Sequence, residues 1–278
     1  GAFVSNPVPE NLVREASPAG LAAAWARAGI APGDTLLLHS NTLRWTWALK
    51  TAGCADPAGL LLESFIAAVG AGGTLLLPLF NFDFTKGAPF DMRATPSRMG
   101  ALTEAGRRHP RARRTAHPLY SFAAIGARAD DFAALTNISG YAENSPFGLL
   151  KRLGGKIAAL DLDDQSCMTF YHHVEECERA DWRYFKDFAG PYTDEAGRTE
   201  TRTYRLYVRD IERGVKTDLN RCAEALWAAG LYRGERANQG AGLRVIEARR
   251  MYDFVAAIIA RGEGEGMLYS IDRDAAHA

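Results

Sequence analysis

The chain has no apolar run that could cross a bilayer: its longest, Leu75 to Leu77 and Ile157 to Leu160, fall far short of the roughly 20 residues a spanning helix needs. No basic-then-apolar stretch of secretory type is present either, so a membrane is not an expected partner and the cytoplasm is the expected compartment. Cysteine is scarce. Cys54, Cys167, Cys177 and Cys222 form no C-x-x-C pair, which argues against a zinc ribbon or a dithiol redox site and leaves free thiols as the expectation. Charge of one sign is missing as well: Lys+Arg and Asp+Glu both total 33, so there is no global field to gather a polyanion or a polycation. The run Arg107, Arg108, Arg111, Arg113, Arg114 reads as the solvated end of a helix, and nucleic acid is not expected as a partner. Walker and dinucleotide glycine patterns are absent, as is the G-x-S-x-G elbow of serine hydrolases.

What is present is a chain with 47% hydrophobic residues, ample for a buried core. Residues 1–17, with prolines at 7 and 9 and no clean periodicity, read as a leader, and 18–278 as one domain in which 181–278 forms a candidate acceptor-side subdomain. Ser17-Pro18 caps a helix through Ala28, and Pro32-Gly33 turns into the apolar run from Thr35 to Leu38. Asp56-Pro57 repeats the signal before a helix over 58–69, and three glycines release the chain into Thr74 to Leu79. Helices are predicted over 97–108, 146–153, 168–180, 219–229 and 248–260. Strands are predicted over 121–125 and 156–162. Alternation of helices with strands that read as apolar runs predicts an α/β fold, a central sheet with helices on both faces. The stretch 200–210 alternates as a half-exposed strand does, which makes the sheet mixed.

Of six histidines, His39, His117 and His172 stand near predicted strand ends or helix starts, where α/β sheets usually bind ligands. In TFYHHVEE (169–176) a helical register places His172 with Glu175, and His173 with Glu176, at i, i+3. A carboxylate beside an imidazole fixes its tautomer and raises its basicity, as a general base requires. An ordinary helix whose polar face carries such pairs fits the same spacing, and spacing alone leaves both readings open. Metal binding is the weaker reading, because H-H-x-E-E lacks the H-x-x-x-H spacing of helical zinc proteases.

Six blocks in register resemble the antibiotic N-acetyltransferase family, which includes the aminoglycoside 3-N-acetyltransferases: LLLHSNTLR (36–44), GGTLLLPLFNF (72–82), TPSRMGALTEAGRR (95–108), TAHPLYSFAAIG (115–126), SPFGLL (145–150) and TFYHHVEE. The resemblance implies a sandwich built on a mixed sheet and an acetyl-CoA or other acyl-CoA co-substrate, with no metal. It implies that His172 deprotonates the acceptor amine, that Glu175 supports it, and that Thr169 lies near the thioester carbonyl. His39, Ser40, Asn41 and Thr42, then Ser97, Arg98, Met99 and Gly100, then His117 and Ser121, correspond to positions along the CoA path. Helix N-termini and hydroxyls suit a pyrophosphate, and Arg98, Arg44 or Lys50 are the cations offered to its phosphates.

Where aminoglycoside-modifying members carry HSS this chain has His39-Ser40-Asn41, and where they carry a G-x-G-H-D-x-N-T type of stretch it has DLDDQSCMT (161–169). That departure and the neutral overall charge shift the expected acceptor to an amino sugar or a nucleotide-linked amine. An aminoglycoside is the alternative, and a non-catalytic binding protein the second. Candidate acceptor contacts are Asp163, Asp164, Tyr171, His173, Glu176 and Arg183, with Asp161, Asp163 and Asp164 as a local acidic rim. A homodimer is the expected assembly.

Overall fold

The computed structural model describes residues 6–274. Its strands are β1 (Thr35–Ser40), β2 (Thr74–Pro78), β3 (Phe90–Asp91), β4 (Arg113–Arg114), β5 (Phe122–Gly126), β6 (Lys156–Leu160), β7 (Arg183–Thr193), β8 (Thr199–Arg209), β9 (Val215–Thr217), β10 (Arg233–Gly234), β11 (Leu243–Glu247) and β12 (Tyr269–Ile271). Its helices are α1 (Glu10–Arg14), α2 (Pro18–Ala28), α3 (Leu43–Thr51), α4 (Pro57–Val69), α5 (Ala101–Arg108), α6 (Ala129–Ala133), α7 (Pro146–Arg152), α8 (Asp164–Cys167), α9 (Phe170–Cys177), α10 (Asn220–Ala228) and α11 (Ala248–Ala260).

Seven strands form the central sheet in the order β10-β11-β6-β1-β2-β5-β4. The inner strands β6, β1 and β2 are parallel, and β11 and β5 pair antiparallel on either side of them, so the sheet is mixed as expected, although the 200–210 strand expected to make it so, β8, lies outside it. Successive side chains of a strand face opposite ways, and here both faces are dry. Leu36, Leu38, Leu75, Leu77, Ala158 and Leu160 join one core with Trp25 and Phe65, while Leu37, Leu76, Ile157 and Ala159 join the other with Phe147 and Phe170. That double burial is why these strands read as continuous apolar runs. A separate ribbon, β7 paired along its length with β8 and flanked by β3, stands apart from the sheet. No helix among the described residues is long and apolar enough to cross a membrane.

Several elements differ from the expectation. Residues 6–17 pack on the fold instead of standing outside it as a leader: Val8 and Leu12 are buried in the core that holds Trp25, while residues 1–5 of that segment lie outside the described range. The helix predicted from 97 begins at Ala101, because Gly100 takes φ 121°, a left-handed conformation that interrupts the turn. The helix predicted over 168–180 is divided into α8 and α9 around Met168, whose ψ of 73° lies outside the helical basin. Helix α3, strand β7 and strand β11 have no counterpart in the sequence reading.

Candidate active site

Above the C-terminal end of β1 lies a cleft of about 670 Å³, bounded by the loop after β1, the loop 98–103 and the segment 164–172. Parallel β1, β2 and β6 reach their C-terminal ends on this side, where α/β sheets usually bind ligands. At its floor is His172, on the first turn of α9. The side chain is 17% exposed, while that of Glu175 one turn on is only 1% exposed. His172 Nδ1–H donates to Glu175 Oε1 at 2.7 Å. The other carboxylate oxygen, Oε2, accepts from Trp182 Nε1–H and, at 3.1 Å, from Arg183 Nε–H.

This wiring decides protonation. Burial by itself would raise the Glu175 carboxyl, but the Arg183 guanidinium and the hydrogen bonds from His172 and Trp182 outweigh it and hold the carboxyl below its ordinary value. Glu175 is therefore an anion and accepts on both oxygens. The network assigns the His172 proton to Nδ1 and leaves the lone pair on Nε2, in a side chain that lines the cleft. Burial, then the nearby Arg183, push the His172 imidazole below its ordinary value, against the opposing pull of Glu175. A neutral imidazole with one free nitrogen results.

His172 also borders a second cavity, of about 320 Å³, whose walls are Tyr141, Arg183, Tyr184, Lys186, Phe188, Leu206, Val208, Arg209 and Ile211. Tyr120, His172 and Thr217 line both spaces. One imidazole thus lies between two approaches, the cleft on the sheet side and the cavity on the β7–β8 ribbon. The i, i+3 spacing pointed to His172 and Glu175. Nothing pointed to Tyr120 or Thr217, because Tyr120 sits unmarked inside the TAHPLYSFAAIG block and Thr217 comes from strand β9 near the far end of the chain.

On the sheet side, His39, Ser40, Asn41, Thr42, Arg98, Met99, Gly100 and Thr169 all line the cleft. Burial, then the Arg244 charge, lower the His39 pKa to about 3, and its buried Nε2 has no hydrogen-bond partner among the described residues. A buried polar atom without a partner costs roughly 1–3 kcal/mol, so one bordering a cleft is a place for a ligand group. Leu43, Phe82 and Met99 are exposed apolar side chains at the rim. A long cleft with hydroxyls, amides, an unpartnered imidazole and an apolar rim fits the pantetheine and adenine parts of a CoA ester. Arg98, at this mouth, pairs with Asp83 at 3.0 Å, with both side chains exposed.

Three residues expected along the CoA path lie elsewhere. Ser97 Oγ is spent inside the loop, bonded to Pro78 O at 3.2 Å and to Thr103 Oγ1 at 2.8 Å. His117 is buried, and its Nδ1 accepts the backbone N–H groups of Leu119 and Tyr120 while Nε2–H donates to Arg205 O. Ser121 is buried against Arg114. Arg44, offered above to a phosphate, is buried in a pair with Asp161 at 3.0 Å.

The expected acceptor contacts divide in the same way. Arg183 lines the second cavity. Asp164 borders the first but is buried, accepting from Tyr171 and Tyr232 hydroxyls and pairing with Arg244 at 2.6 Å, so Tyr171 is a structural partner too. Asp163 caps α8 through Ser166 N–H. Of the expected acidic rim only Asp163 stays exposed. The second i, i+3 pair does not form. Glu176 accepts from Ser139 Oγ, and His173 donates from Nδ1 to Tyr141 O at 2.6 Å and accepts from Lys151 Nζ at 3.1 Å. Ligand atoms of Glu143, His173 and Cys177 lie within 4.8 Å of one another, yet the Lys151 ammonium already stands among them, 2.7 Å from Glu143 Oε2. That cluster is a polar network, exposed at Glu143 and buried at His173, in which a cation is already supplied.

The fold and the His172–Glu175 pair define a class, a mixed α/β sandwich with a carboxylate-held imidazole between two clefts. The family described as aminoglycoside 3-N-acetyltransferase matches residues 37–260, and this chain belongs to that family. Aminoglycoside N(3)-acetyltransferase IV of Salmonella sp is 30% identical over 146 residues, 51% of this chain and 52% of that protein. Aminoglycoside N(3)-acetyltransferase VII of Streptomyces paromomycinus is 31% identical over 170 residues, 57% of each chain. The matches therefore span about half the length of these curated relatives. The fold is shared with the aminoglycoside acetyltransferase AAC(3)-Xa, at TM-score 0.72 and 25% identity over 92% of this chain and 96% of that one. It is shared too with AAC-IIIb in a binary complex with CoASH, at TM-score 0.73 and 23% identity over 89% of this chain and 97% of that one.

Proposed function

We propose that this protein is a CoA-dependent N-acyltransferase that moves an acetyl or other short acyl group from an acyl-CoA to a primary amine, with His172 as general base. The observation that carries this reading is the position of His172: it lines both cavities, and Glu175 holds its Nδ1 and leaves Nε2 as the basic nitrogen. The acyl-CoA enters along the sheet-side cleft, a reading supported by the neighbour solved with CoASH. The amine enters from the ribbon side.

In the reaction the amine nitrogen attacks the thioester carbonyl carbon while Nε2 takes the proton that nitrogen loses. The carbonyl oxygen becomes an oxyanion, and Thr169, which lines the cleft, is with neighbouring amides the candidate that stabilises it. Collapse re-forms the carbonyl and expels the CoA sulfur, which leaves with the proton returned by the imidazolium. No acyl-enzyme enters this scheme. Cys167 lines the same cleft, but burial, with Asp164 and Asp163 adding to it, pushes its thiol up to about 12, so it holds no thiolate at neutral pH.

For the acceptor, the named relatives act on aminoglycosides, and this supports an aminoglycoside, acylated at its 3-amino group, ahead of the nucleotide-linked amine that the sequence departures suggested. Incubation with acetyl-CoA and a panel of aminoglycosides and amino sugars should release free CoA. His172→Ala should lower turnover by about 10²- to 10⁴-fold, the usual worth of a positioned base. Tight acyl-CoA binding with no turnover on any amine would instead favour a non-catalytic binding protein on the same fold.

A further inference from the structure

The cavity that brings an acceptor to His172 has charge of one sign. Its walls carry Arg183, Lys186 and Arg209, and no Asp or Glu is among its lining residues. Register explains the arrangement. In the antiparallel β7–β8 ribbon Tyr184 faces Val208, Lys186 faces Leu206 and Arg183 faces Arg209, so Tyr184, Lys186, Phe188, Leu206 and Val208 share one side of the ribbon. That side forms an apolar wall with Lys186 set into it, while Arg183 and Arg209, opposed at the end of the ribbon, alternate to its other side and border the cavity at its edge.

The three cations are not equivalent. Arg183 is already committed, donating to Glu175 and to Tyr207 O. Lys186 and Arg209 are exposed and have no carboxylate partner among the described residues: Lys186 Nζ lies 5.5 Å from the Phe188 ring centroid, and Arg209 Nη1 donates to Val215 O at 3.0 Å. The acidic groups of this region are used elsewhere. Asp187 pairs with Arg205, Asp210 with Arg213, Glu176 with Ser139 and Glu175 with His172 and Arg183. A polycation approaching His172 through this cavity would meet two unneutralised positive side chains and no carboxylate among the residues that line it.

Resting on the acyl-transfer step proposed above, but departing from the polycationic aminoglycoside that the relatives' names support, we infer that the acceptor of this enzyme is an amine whose sugar-like scaffold also carries an anionic group, a phosphate or carboxylate, held between Lys186 and Arg209 while the amine reaches His172. Arg209 offers a fork that matches two oxygens, Lys186 a mobile point charge. Tyr184, Phe188, Leu206 and Val208 take the less polar face of the scaffold between the anion and the amine.

The test uses the full chain with acetyl-CoA and three matched acceptors, glucosamine, glucosamine 6-phosphate and muramic acid, with tobramycin as the polycation, reading kcat/KM by CoA release. The expected result is at least tenfold preference for an anionic acceptor over glucosamine, the phosphate and carboxylate arms showing which anion is held. In K186E/R209E, both at exposed positions, that preference should vanish or invert toward tobramycin while KM for acetyl-CoA is unchanged. Tobramycin or glucosamine as the best acceptor of the unaltered protein, or an anion preference untouched by K186E/R209E, overturns the inference and leaves acyl transfer intact. CoA release that no amine stimulates and that His172→Ala does not alter removes the acyl-transfer reading and this inference with it. A separate titration of glucosamine 6-phosphate into the CoA-loaded protein should show binding that weakens about tenfold or more in K186E/R209E, and equal binding by both proteins also refutes the anion site.

Discussion

Replacing Glu175 with glutamine keeps the size of the side chain and changes what each of its ends can do. In the native site both oxygens accept, Oε1 from His172 Nδ1–H and Oε2 from Trp182 and Arg183. A glutamine has one oxygen. Two donors, one of them a guanidinium, claim that oxygen on the Oε2 side, which turns the NH₂ toward His172. Nδ1 must then accept, and the ring proton moves to Nε2, which is no longer a base. The expected loss in kcat is on the order of 10³- to 10⁴-fold, the scale that a wrong imidazole tautomer costs in triad enzymes. Stability should fall as well, because the buried Arg183 loses its only carboxylate partner among the described residues. Breaking one side of a buried pair costs about 3–5 kcal/mol, or a drop in melting temperature on the order of 10 °C for a chain of this size. Rates by CoA release well below the melting point, with ¹⁵N NMR of the His172 ring to read the tautomer, separate the two effects. A folded Glu175→Gln protein within about threefold of native kcat, or one whose proton stays on Nδ1, would refute this account.

Because burial and Arg183 set the His172 pKa below 6.5, turnover should be flat near neutrality and fall on the acid side as His172 gains its proton at a pH under 6.5; a limb centred at 7 or above contradicts the assignment. The same acid range should weaken the fold: His117 and His173 are lowered to about 4 and His39 to about 3, chiefly by burial, so between pH 6.5 and about 4 the unfolded chain binds protons that the folded one refuses. Melting temperatures measured at pH 7 and pH 5 should show the loss. Cys167→Ser should keep activity within about threefold, and intact-protein mass spectra after mixing with acetyl-CoA should show no acylated species, since a thiol pushed up to about 12 supplies no nucleophile. An acylated native protein that Cys167→Ser abolishes would overturn the direct mechanism.

Much of the sheet was legible because its strands are buried on both faces, which prints runs such as TLLLHS and TLLLP directly into the sequence. Helix α11 was legible to the residue. Helix α3 was not, since its buried stripe includes Arg44, whose charge is neutralised by Asp161 from a distant strand end and whose place in an apolar period cannot be read locally. Strand β7 was missed because most of it is exposed and its pairing comes from β8 along its length and from β3 at its end. At the site, the i, i+3 spacing located His172 and Glu175. Identical spacing suggested His173 with Glu176, where the Tyr141 carbonyl and Lys151 took the imidazole instead. Spacing shows which groups are within reach of one another, and the competing partners arrive only with the tertiary fold.

The ribbon β7–β8 lies outside the seven-stranded sheet, and Glu175 is the point at which it joins the site, through Trp182 and Arg183 at its root. In the acyl transfer proposed above, donor recognition is thereby written into the sheet and its loops, and acceptor recognition into a two-stranded arm. Exchange of Tyr184, Lys186, Phe188, Leu206 or Val208 can re-specify the amine while the root, and with it the imidazole, stays fixed. Diversification of acceptors within such a scaffold would leave its trace as turnover of residue types at alternate ribbon positions, set against constancy at 182 and 183.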